Sequence, residues 1–116
     1  MATFLISKRL SGDYKYEYLN RRGKTIFTSN AFELRFECEH SIELLKEKIE
    51  EIIFMRFKSG KGKFYFRIIL REQEIAVSRK FSTSLMLEKG IKQISTYAKE
   101  AEVLDFSNPV DVFGPE

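Results

Sequence analysis

The chain has 116 residues, 43% of them hydrophobic and 32% charged, with a net charge of +3. That composition excludes a disordered chain, and the length suits one domain able to bury a core without staples. One cysteine excludes an internal disulfide and points to a reducing, cytoplasmic compartment. No apolar run approaches the roughly 20 residues of a membrane helix, and the stretch Met1 to Arg9 is too short to be a signal peptide.

In chain order, Thr3 to Lys8 is rich in β-formers and ends at the turn residues Gly12 and Asp13. Tyr14, Tyr16 and Tyr18 alternate with Lys15, Glu17 and Leu19, which is the period of a strand. Arg21, Arg22 and Gly23 turn the chain into a third strand, Thr25 to Thr28. Short loops make these three an antiparallel meander. The period then lengthens. Leu34, Cys38, Ile42, Leu45 and Ile49 recur at three and four, one face of a helix, with Ser29 or Asn30 as the expected cap.

Ile52 to Phe57 reads as a strand again, and the plan repeats. A Gly/Lys turn covers Lys58 to Lys63, Phe64 to Ile69 alternate, and Ile75 to Ser78 form another strand. Ser82 or Thr83 caps a helix that places Leu87, Ile91, Ile94 and Ala98 on one face.

The repetition is literal. At a spacing of 50, Phe4, Lys8, Gly12 and Arg21 fall on Phe54, Lys58, Gly62 and Arg71. At 49, Ile26, Ser29, Phe32, Glu39 and Ile42 fall on Ile75, Ser78, Phe81, Glu88 and Ile91. A third partial copy sets Glu51 to Phe57 on Glu100 to Phe106. The expected fold is therefore α+β, with two tandem β-β-β-α units and a closing C-terminal strand. They form one mainly antiparallel sheet with both helices on one face. Residues 1–106 make a single domain, with units at about 3–51 and 52–100 and the closing strand at about 101–106; residues 107–116 make a loose tail. The helix face collects Phe4, Tyr16, Ile26, Thr28, Phe54, Phe66, Ile75 and Val77; the other carries Phe27, Phe57, Tyr65, Arg67 and Ala76.

Gly62-Lys63-Phe64-Tyr65-Phe66-Arg67-Ile68, then Ile75 to Ser78, Phe81-Ser82 and Gly90-Ile91 with Ile94, resembles the YegP-like family of small bacterial proteins. The resemblance runs from Thr3 to about Phe106. It implies the same tandem fold, with the strand after each helix pairing with the other unit, and it implies no catalytic residue. The family's Asn-Gly turn is replaced by Asn20-Arg21-Arg22-Gly23 and by Arg71-Glu72-Gln73-Glu74, its helix Asn by Tyr97, and the first helix has Ser41 where the family prefers Gly.

Cys38 and His40 lack the further Cys or His of a metal site, so no metal or cofactor is expected. Cys38 falls on Leu87, a core position, and His40 on Lys89, an exposed one. Ser59 to Lys63 lacks the spacing of a phosphate loop and opens a strand. Lys61 to Ile68 has part of the RRM strand motif without its second glycine. Acids outnumber bases seven to three from Glu33 to Glu51, a solvated helix face.

The favoured function is a non-enzymatic binding or interaction module using the open sheet face, with a protein partner or a second copy as contact. The alternative is a weak nucleic-acid binder. The open face offers Tyr65, Arg67, Phe57 and Phe27 to either partner, Tyr65 and Arg67 foremost for the favoured module, and the nucleic-acid reading adds Arg21, Arg22, Lys61 and Lys63 for phosphates. A small enzyme of unknown class is the third reading.

Overall fold

The computed structural model describes residues 1–107. The strands are β1 (Thr3–Lys8), β2 (Tyr14–Leu19), β3 (Thr25–Ser29), β4 (Ile53–Lys58), β5 (Phe64–Leu70), β6 (Gln73–Ser78) and β7 (Glu102–Asp105). Helix α1 (Arg35–Glu47) follows β3, and α2 (Ser84–Tyr97) follows β6. The strands form one sheet in the order β4-β5-β6-β3-β2-β1-β7. Every pair is antiparallel except β1 with β7. The fold is α+β, as the periodicities require. The tail expected from residue 107 lies, from residue 108 on, outside the described residues.

The halves join through β3 and β6, where Phe27, Thr28 and Ser29 pair with Ser78, Val77 and Ala76. Arg79 N donates to Ile26 O at 2.8 Å, and Asn30 N to Ile75 O at 3.0 Å. Each half then builds the same local frame. Tyr16 N donates to Ser29 Oγ at 2.9 Å, and Phe66 N to Ser78 Oγ at 2.9 Å. Tyr14 bridges to Phe32, and Phe64 to Phe81. Rings stack at 6.3 Å in both halves, Tyr16 on Phe32 and Phe66 on Phe81.

The sheet register puts Phe4, Tyr18 and Phe27 in one row and Ala76 and Ile68 in another, all buried on one side. Cys38, Ile42 and Leu45 of α1 and Leu87, Ile91 and Ile94 of α2 join them in one cluster. The assignment of strand faces from the sequence needs correction here. Phe27 and Ala76 are fully buried in that cluster, whereas Thr28 and Val77 turn away from it. The cause is a bulge in each half, between Tyr18 and Leu19 and between Ile68 and Ile69. The extra residues are Ile26 and Ile75, both packed against the core, and each reverses the alternation beyond it.

Helix starts also differ from expectation in the first half. Ser29 is spent on Tyr16, and Asn30 Nδ2 donates to Glu74 O at 2.7 Å, so neither caps α1. Glu37 instead reaches back to Leu34 N at 2.9 Å, and Leu34 is exposed. Thr83 caps α2 as its sequence suggests, accepting from Met86 N at 3.1 Å.

Strand β7 is held at its end by Asp105. Arg35 Nη1 donates to Asp105 Oδ2 at 2.9 Å, and Ser107 donates its amide and hydroxyl to Oδ1 at 2.8 and 2.5 Å. Burial pushes the Asp105 carboxyl up, but the Ser107 and Arg35 donors outweigh it and hold the group below the usual range.

Two stability predictions follow from these bonds. Ser29→Ala or Ser78→Ala orphans a buried strand amide and should each cost about 1–3 kcal/mol in urea unfolding; no loss in either variant contradicts the shared frame. A carboxyl with a depressed folded pKa stabilises above its unfolded value, near 4, and loses that contribution as pH falls through the folded value. Asp105→Asn should therefore be less stable than wild type at pH 7, with the gap closing below about pH 4. A gap independent of pH contradicts the role of the carboxylate.

Candidate functional site

Three loops meet at one end of the sheet. β2 leaves and β3 enters at that end. β6 runs antiparallel to β3 and so finishes there, while β5 starts there and β4 finishes there. Residues 20–24 bring Arg21, Arg22 and Lys24; residues 58–63 bring Lys58, Lys61 and Lys63; residues 79–83 bring Arg79 and Lys80. None of the three loops contains an acid. The third loop lies between the other two, whose centres are three strand spacings apart, about 14 Å. Arg21, Arg22, Lys61 and Lys63, picked from separate turns of the sequence, thus belong to one row.

The sheet face turned away from the core carries the stacking group. Phe57 and Tyr65 are cross-strand partners with parallel rings 5.1 Å apart. The Arg67 guanidinium sits 5.2 Å from the Phe57 ring centre and 6.0 Å from that of Tyr65. Glu74 binds Arg67 Nη1 at 2.8 Å and strengthens its hold on the proton. Lys80, not singled out from the sequence, reaches over Tyr65 at 6.0 Å and ties the stack to the basic end. Only the topology brings Lys80 there, because Lys80 follows β6 and Tyr65 opens β5. Phe57 and Tyr65 are half-buried, each stacked on the other, with Arg67 over Phe57 and Lys80 over Tyr65. Phe27 is not part of this group; it stacks on Tyr18 at 5.3 Å inside the core, carried there by the bulge.

The other residues with chemical potential lie elsewhere. Cys38 is buried, and burial, with the nearby Asp105 charge adding to it, pushes its thiol up to about 11. It is a neutral thiol at pH 7 and a poor nucleophile. His40, two residues on, is exposed and lines a cavity of about 680 Å³ beside Phe32, Phe36, Leu44 and Ile75. Ser41 at its wall is hydrogen-bonded to Tyr16 Oη at 2.7 Å, and burial pushes that phenol up to about 12. Among the described residues no three of His, Cys, Asp and Glu gather as metal ligands, and no helix is long and apolar enough to cross a membrane.

No family model matches the chain. A curated protein described as a UPF0339 protein in the ptx operon 5′ region, from Stutzerimonas stutzeri, is 23% identical over 108 residues, covering 91% of this chain and 97% of that protein. Two solution NMR structures share the fold. The protein yegP from E. coli, described as of unknown function, has a TM-score of 0.78 at 22% identity over 92% of this chain and 94% of its own. A UPF0339 protein from Shewanella oneidensis has a TM-score of 0.77 at 18% identity over 91% and 92%. Nearly full-length similarity in sequence and in fold supports the resemblance read from the Gly62 to Ile68 strand: the chain is similar to UPF0339 and yegP proteins and shares their fold.

Proposed function

We propose that this protein is a non-enzymatic binding module whose partner is single-stranded nucleic acid. One observation carries the reading: an acid-free row of eight Lys and Arg in three loops continues, through Lys80, into the stacked Phe57–Tyr65 pair. Cations spaced along one rim track a phosphate backbone, and a half-buried aromatic pair offers a base a π-face at low entropic cost. Arg67 fixes the pair from behind and is itself held by Glu74, so the platform is formed before a ligand arrives. The reading gives weight to the nucleic-acid alternative over a protein partner, because an acid-free rim favours a polyanion. It needs no cofactor, and the modest net charge of +3 predicts weak, salt-sensitive affinity.

Fluorescence anisotropy with a labelled single-stranded oligonucleotide tests this. Affinity should fall as salt rises, and Tyr65→Ala should weaken binding by about 1–3 kcal/mol with the fold intact by circular dichroism. Lys61→Ala with Lys63→Ala should reduce the salt slope by about two. Binding without a salt slope, or unchanged in Tyr65→Ala, contradicts the reading.

A further inference from the structure

The helix side of the sheet, opposite the Phe57–Tyr65 pair, differs between the two halves in the charge of its grooves. Two grooves lie there in corresponding positions. One, at the end away from the basic loops, runs between α1 and the start of β6, and includes Asn30, Glu37, His40, Leu44 and Glu74. The other, about 370 Å³, runs between α2 and the start of β3, and includes Arg79, Lys89, Gln93, Arg22 and Lys24 over Ile26 and Phe81. At the spacing of 49, Asn30 falls on Arg79, Glu37 on Met86, His40 on Lys89 and Leu44 on Gln93. Three of those four differences make the second groove more positive, and the fourth adds a polar group.

Folding does not require these cations, since the same frame forms around Asn30 and His40 in the first half. The backbone bond from Asn30 N to Ile75 O has its counterpart in Arg79 N to Ile26 O. Among the described residues Arg22, Lys24, Arg79 and Lys89 make no ion pair. Four like charges around one hollow repel each other and oppose folding unless an anion shares the space. Gln93 lines the groove's edge. The buried Tyr18 hydroxyl lies against the Gln93 side chain, and burial, offset in part by hydrogen bonding with Gln93, pushes it up to about 12.

We infer that this groove binds a small phosphorylated molecule, with its phosphate among Arg22, Lys24, Arg79 and Lys89. A groove of about 370 Å³ is the size for a sugar phosphate. The site shares Arg22, Lys24 and Arg79 with the basic rim of the nucleic-acid reading but uses neither Tyr65 nor Phe57, so Tyr65→Ala separates the two.

Isothermal titration calorimetry at low salt tests it with glucose 6-phosphate, inorganic phosphate and glucose. The double variant Arg79→Asn, Lys89→His installs the residues of the first groove, which its fold already accommodates; Lys24→Ala changes one exposed turn residue. Saturable binding of the sugar phosphate, weakened about tenfold or more in the double variant and several-fold in Lys24→Ala, supports the site. Tyr65→Ala should bind the sugar phosphate as wild type does. No saturable binding of either phosphate, or equal affinity in the double variant, overturns it. Binding of a 5′-phosphorylated oligonucleotide through Arg79 and Lys89 without binding of glucose 6-phosphate also overturns it, in favour of a nucleic-acid terminus.

Discussion

The antiparallel pairing of β3 with β6 is the contact on which the rest depends. It is short, covering Phe27 to Ser29 and Ala76 to Ser78, with flanking bonds from Arg79 and Asn30. It makes one sheet out of two meanders, and it decides which loops share an end. With β6 antiparallel to β3, the Arg79–Lys80 connection arrives beside the Arg21–Arg22 turn, and the Lys61–Lys63 turn falls in line. A parallel pairing would send those charges to opposite ends and leave no continuous anion rim. Ser29 and Ser78 brace the two junction strands, each within its own half, accepting a strand amide and donating to the next carbonyl, Asn30 O at 2.8 Å and Arg79 O at 2.6 Å.

The two halves keep the same frame and differ in what they place on it. At spacings of 49 and 50 the buried positions stay apolar or small, as with Cys38 and Leu87, or Phe4 and Phe54. Charge follows a different rule. The acidic stretch belongs to α1 and the turn after it, while the β2–β3, β4–β5 and β6–α2 loops of the opposite end are basic; the connection into β7, at that same end, carries Glu100. A sheet with one positive end attracts and orients an anionic partner before contact. The Phe57–Tyr65 pair and the groove of Arg79 and Lys89 lie on opposite sides of the sheet and adjoin the same basic loops.

Fold and site were legible to different degrees. Period-two alternation in Tyr14 to Leu19 and three-four spacing from Cys38 to Leu45 specify a strand and a helix because each buries one side. The third partial copy at Val103 and Leu104 pointed to the closing strand, which pairs parallel to β1. Alternation was misleading beyond Ile26 and Ile75, since a bulge inserts one residue and leaves no mark in composition. That is why Phe27 read as an open-face aromatic and is a core residue. Phe57, Tyr65 and Arg67 were found because no bulge precedes them in their strands. Lys80, Arg79 and Lys24 were missed because their convergence depends on strand order, a long-range property that local pattern does not encode.

The claim that joins these observations is that anions engage one end of this sheet. Backbone amide chemical-shift mapping with a single-stranded oligonucleotide tests it most directly. Shifts confined to residues 20–24, 58–67 and 79–83, on both sides of the β3–β6 junction, are the result the account predicts. Shifts spread evenly over the surface, or centred on α1 and the Arg71–Glu72 turn at the opposite end, would contradict it.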